Sequence, residues 1–168
     1  GGNKIRSELG DAYVESLFQL YEDRVPAFAD LVAYWFEKAR AMIENGQAKR
    51  AGLLATQGIR GGASRKVLEK IKASADIFWA ISDRDWILDG ANVHVSMVGF
   101  DAHSQVERLL DGLIVKAINA NLTALLDLNQ SKRLIENASL SFMGVTPAGP
   151  FDILGDLARE LLKKSGNP

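Results

Sequence analysis

The sequence predicts an α/β layered fold, and three observations carry that prediction. Residues 51–56, 77–82 and 91–100 are short apolar runs of strand length, flanked by charged or turn-forming residues. Before and between them lie segments whose apolar residues recur at helical spacing. The resulting order of helix, strand, helix, strand belongs to proteins that cover a sheet with helices.

Composition bounds what such a fold can do. The chain has 168 residues, 47% of them apolar, enough for one substantial core. Twenty Lys and Arg against 21 Asp and Glu leave a net charge of -1, so a nucleic-acid site would have to be a local patch. No Cys is present, which excludes disulfides and thiolate metal sites and fits a reducing, cytoplasmic setting. His94 and His103 are the two histidines, which argues against a His-rich zinc site. No apolar run approaches the roughly 20 residues of a membrane span. The Gly1-Gly2-Asn3-Lys4 start is not a signal peptide, and it reads, with the Asn167-Pro168 end, as a cut point.

Each element has its residues. Asp11 is placed to cap a first helix bearing Val14, Leu17, Phe18 and Tyr21 on one face. Pro26 suits the opening of a second, with Phe28, Leu31, Val32, Trp35, Phe36, Ala39 and Ile43 as its apolar face and Gly46 as its stop. Residues 51–56, a short apolar run after a basic turn, predict a buried strand. Ser64 can cap a helix carrying Val67, Leu68 and Ile71. Residues 77–82 form a second strand. Residues 91–100 form a third, with Val93, Val95 and Met97 alternating with His94 and Ser96. The stretch VERLLDGLIVKAI admits a helix, but Asp111-Gly112 between apolar runs is a strong hairpin signal and decides for a hairpin. Residues 129–137 suggest a short helix and 143–151 a loop. Asp152 can cap a last helix with Ile153, Leu157, Leu161 and Leu162, closed by Gly166.

The chemistry-bearing stretch is LLATQGIRGGASRKVLEKI, residues 53–71. Apolar run, glycine turn and basic helix suggest a phosphate cradle. Yet the spacing supplies neither the Walker loop nor the dinucleotide G-x-G-x-x-G. What remains is a generic anion site with Arg60, Arg65 and Lys66, or a plain connection with solvated cations. Asp83, Asp85 and Asp89 lie close in sequence without the spacing of a calcium loop, and read as turn acids. No nucleophile elbow surrounds Ser96 or Ser104. Trp35 and Phe100 read most simply as packing residues, although an aromatic at a strand end can also stack on a base.

Three blocks taken together, DLVAYWFEKAR, GLLATQGIRGGASRKVL and ILDGANVHVSMVGFD, resemble the amino-group DNA methyltransferases, and most closely the large bacterial restriction–modification type that modifies adenine. SFMGVTPAGPFDI resembles the segment that follows the methylase core in those proteins. The resemblance implies a partial Rossmann-like methyltransferase sheet, its last strand antiparallel, flanked by helices. Residues 1–103 would be the C-terminal half of the catalytic core, and 104–168 a hairpin and helical extension toward a target-recognition region.

It also implies roles. Trp35 would lie against the adenine of S-adenosylmethionine, the cofactor. Phe100 would stack on the flipped base. The loop with Gln57, Gly58 and Arg60 would border the base pocket, with Arg60 facing double-stranded DNA. The chemistry would be displacement on the sulfonium methyl by an adenine amine, held by acceptors that orient it. The family's Asn-Pro-Pro-aromatic tetrapeptide and cofactor turn are absent. No catalytic residue is therefore assigned to this chain. The expectation is a fragment inactive alone, self-associating through an exposed sheet edge, or else a methylase-like module kept for DNA binding or subunit contact.

Overall fold

A computed structural model describes residues 4–88, 90–125 and 153–164. It falls into two compact units, Gly1–Gln130 and Ser131–Pro168. In the first, helices α1 (Ile5–Leu9), α2 (Asp11–Leu20) and α3 (Leu31–Glu44) lead into strand β1 (Arg50–Thr56). A 3₁₀ turn (Gln57–Arg60) and α4 (Gly62–Ser74) follow, then β2 (Asp76–Leu88), β3 (Ala91–Asp101), β4 (Arg108–Leu110) and β5 (Leu113–Val115). The sheet order is β1-β3-β2-β4-β5. Strand β3 runs antiparallel to both β1 and β2, so those two run parallel to each other, separated by a reversed strand. This is the open sheet with flanking helices and an antiparallel late strand that the resemblance implied.

The core lies on one face of this sheet. Phe36 of α3 and Val67, Leu68 and Ile71 of α4 pack on Ile77, Ala80, Val98 and Phe100, all buried. Ile118 and Leu122, beyond β5, join the same core, so the stretch expected to begin an extension completes this unit. Leu122 is held at φ 55°, where a side chain is strained, by its near-complete burial and by the Asn119 N–H donating to the Thr123 carbonyl at 2.8 Å. Inside the helix pair, Glu37 is fully buried and receives both the Nε (2.7 Å) and the second guanidinium nitrogen (2.9 Å) of Arg40. Arg40 also donates to Ser74 at 2.9 Å, clamping α3 to the end of α4.

Several expected boundaries move. Helix α3 starts at Leu31, not at Pro26, because Phe28 adopts φ 66° and a left-handed residue interrupts a right-handed helix. Phe28 is accordingly exposed. Gly10 rather than Asp11 precedes α2, and Gly61 rather than Ser64 precedes α4. Ser64 sits buried one turn in, and its hydroxyl accepts the Asp30 N–H at 3.0 Å. Strand β1 is not buried along its length: it is the sheet's edge among the described strands, with Leu54 exposed on its outer face. In β3, Val98 and Phe100 join the main core and Ser96 is buried beside them, while Val95 is buried on the other side of the strand and Val93 is exposed. Strand β2 outruns its expected end at Ser82 and continues to Leu88, so Asp83 and Asp85 are strand residues rather than turn acids.

The hairpin reading of Asp111-Gly112 holds. These residues adopt φ 52° and 83° between β4 and β5, the left-handed pair that a two-residue turn needs. In the second unit, α5 (Gly155–Leu162) is preceded by Leu154 and bonds Arg159 to Asp156 at 2.6 Å. The expected helix at 129–137, the loop at 143–151, the Asp152 cap and the Gly166 stop lie outside the described residues.

Candidate nucleic-acid interface at the sheet edge

Strands β1 and β2 end on the same side of the sheet, and ligands of open α/β sheets gather at that carboxyl edge. Here the 3₁₀ turn leaves β1 at Gln57. Gln57, Gly58, Arg60, Gly61 and Asn121 line an open cavity of about 640 Å³. The three residues named from sequence at this loop thus share one cavity wall. Asn121 is the addition, carried there by the strained turn at Leu122; its side-chain oxygen accepts the Thr123 hydroxyl at 2.8 Å.

Arg60 is a brace as well as a cation. Its Nε donates to the Asn121 carbonyl at 3.1 Å and one terminal nitrogen reaches the Ser82 carbonyl at 3.4 Å. The same nitrogen stands 3.9 Å from Asp83. Arg60 therefore joins three segments, and its half-buried guanidinium borders the cavity rather than standing free in solvent. Asp111 fixes the middle of neighbouring β2, accepting both the N–H and the hydroxyl of Ser82 at 2.7 Å.

Beyond Thr56 the sheet narrows to a two-stranded ribbon. Strand β1 stops pairing at Val95, while β2 and β3 continue as Asp85↔His94, Trp86↔Val93, Ile87↔Asn92 and Leu88↔Ala91. Trp86, Ile87 and Val93 are exposed there. His94 lies between two carboxylates, with Nδ1 2.8 Å from Asp83 and Nε2 3.4 Å from Asp85. The hydrogen bond and charge of Asp83, with a smaller contribution from Asp85, outweigh desolvation and hold the His94 imidazole above its ordinary range.

Two expected site residues are not at this edge. Phe100 is fully buried, its ring stacked on Phe36 with centroids 6.3 Å apart. It pairs with Ala51 and Ile77, near the starts of β1 and β2, roughly 16 Å of strand away from the Thr56 level. A base cannot stack on a ring already enclosed by the core, so the base-stacking assignment of Phe100 is corrected to packing. Trp35 is exposed on α3 with the Lys38 ammonium 5.5 Å from its ring centroid, and it is neither a core residue nor part of this cavity wall. The exposed aromatic on the ribbon beyond the carboxyl end of β1 is Trp86. Its signal was legible: Asp89-Gly90 is the same hairpin dipeptide as Asp111-Gly112, and it would have extended the second strand through Trp86.

No family model matches the chain, and no curated protein matches it. Among solved structures, the chain is similar to the Type IIL restriction-modification enzyme MmeI, solved in complex with DNA. The similarity has a TM-score of 0.58 and 23% identity, and covers 69% of this chain and 18% of that one. At that identity it establishes the shared α/β fold; the chain spans less than a fifth of that enzyme's length. Among the described residues, no helix is long and apolar enough to cross a membrane, and no group of acids and histidines could hold a metal ion.

Proposed function

We propose that this chain is the C-terminal half of the catalytic domain of an S-adenosylmethionine-dependent DNA adenine methyltransferase, from a restriction–modification or phage-defence system. The observation that carries the reading is the reversed strand β3 between the parallel β1 and β2, with the Gln57–Arg60 turn at their shared carboxyl edge. It agrees with the three sequence blocks and with the fold likeness to a restriction-modification enzyme. In this reading the cavity at Gln57, Gly58, Arg60 and Asn121 is one wall of the pocket for an extruded adenine, while Trp86, paired with Val93 on the opposite face of the ribbon from His94 and Asp85, offers its exposed π face to DNA outside that pocket. The acceptors for the amine and most of the cofactor cradle belong to the half that precedes this sequence. Trp35, exposed on α3, remains assigned to the cofactor's adenine by resemblance alone.

The test compares two aromatics in the full-length protein. Trp86→Ala should leave the melting temperature nearly unchanged and reduce methyl transfer to duplex DNA by about ten- to 100-fold, the loss of one stacked contact with the DNA being about 1–3 kcal/mol. Phe100→Ala should instead cost about 3–5 kcal/mol of stability, as for a buried ring. Absence of methyl transfer by the unmodified full-length protein, or equal losses in proportion to stability, would defeat the reading.

A further inference from the structure

Both ring nitrogens of His94 face carboxylates, Asp83 at 2.8 Å and Asp85 at 3.4 Å. A neutral imidazole has one N–H and one lone pair, so it can satisfy only one of these partners and turns its lone pair toward the other. The geometry is complete only for the imidazolium. Asp83 is meanwhile shared, since its second oxygen lies 3.9 Å from Arg60. Arg60 plus an imidazolium balance Asp83 plus Asp85. With a neutral His94 the same four groups carry one excess negative charge, beside the cavity that Arg60 borders. Nearest to them on the adjoining elements are Arg84 on the ribbon and Asp111 in the β4–β5 turn, which carry opposite signs, while Asp76, Asp101 and Arg108 stand at the other end of these strands.

We propose that His94 is a positioning residue for DNA: as an imidazolium it neutralises the Asp83–Asp85 pair and leaves the charge of Arg60 to a backbone phosphate. The inference rests on the DNA reading above and adds to it a residue and a pH dependence. Its physical basis is the sequence-independent phosphate term of nucleic-acid binding, which an uncompensated carboxylate at the interface opposes. The ribbon would otherwise bring two aspartates to a polyanion.

Two measurements on the full chain test it. Only two histidines occur, so the imidazole C–H resonances are two sets, and His103→Gln assigns them. His94 should titrate above an ordinary histidine, and Asp83→Asn should bring it back down. Binding of a short non-specific duplex at low salt should then weaken by about three- to tenfold between about pH 6 and pH 8.5, the effect of one partly screened charge. His94→Gln should bind at both pH values with the weaker affinity, His94→Lys with the stronger, and His103→Gln should follow the unmodified chain. Duplex binding whose pH dependence survives in His94→Gln would overturn the inference while leaving the DNA reading standing. Absence of duplex binding at either pH would overturn both.

Discussion

Asp76 opens β2 and is almost fully buried, yet it is charged. Lys72 of the preceding helix donates to one oxygen, and Arg108, from the start of β4, reaches the other at 2.6 Å. Burial pushes its carboxyl up, but the hydrogen bonds and charges of Lys72 and Arg108 outweigh it and hold the group below the usual carboxylate range. A depressed folded value contributes stability above the unfolded carboxylate range, about pH 4, and that stability fades as pH falls through the folded value. Asp76→Asn should therefore cost about 1–3 kcal/mol at neutral pH, since it leaves two half-buried cations facing a neutral amide. Denaturant unfolding of the two proteins should converge as pH drops below about 4. A constant difference down to the acid transition would show that Asp76 acts through packing rather than charge.

At the scale of elements, the β4–β5 hairpin shows what local sequence dictates and what it does not. Asp111-Gly112 was legible because two successive left-handed residues restrict the choice of side chains so strongly. That the Asp111 carboxylate also locks Ser82 of β2 was not legible, because the parallel pairing of β2 with β4 is a long-range fact. The same division runs through the site. The loop at Gln57–Gly58–Arg60 followed from an apolar run broken by glycines, whereas Asn121 reaches the cavity only through the strained turn at Leu122. Phe100 looked like a strand-end aromatic, and it is one, but the reversal of β3 that the resemblance implied carries that end away from the carboxyl edge of β1 and β2, towards which Trp86 lies. Asp111→Ala removes both bonds to Ser82, whose carbonyl in turn meets Arg60. It should cost about 1–2 kcal/mol and raise hydrogen exchange at Ser82 and in the Gln57–Arg60 turn, with the core strands unaffected. Unchanged exchange at Arg60 would mean that the hairpin does not support the loop.

The whole first unit is asymmetric in its edges. Strand β5 is three residues long, but β1 offers seven residues whose outer side has no paired strand among those described. Alongside it lies an open apolar cavity of about 580 Å³, bordered by Ile5, Leu9, Leu31, Val32 and Leu54. A long unpaired edge with apolar flanks is a template for another strand, and short edges are how proteins ordinarily avoid that. In the proposed methyltransferase the preceding half of the sheet would supply the strand. In this chain alone the same surface should pair with itself. Sedimentation should thus show reversible association at high micromolar concentration. Leu54→Lys, which sets a charge on the outer face without touching a core residue, should weaken that association about tenfold, the equivalent of losing one partly buried leucine contact. The melting temperature should hardly move, because Leu54 is already exposed. A clean monomer at high concentration would mean that β1 needs no partner, and would count against half of a larger sheet as the description of this unit.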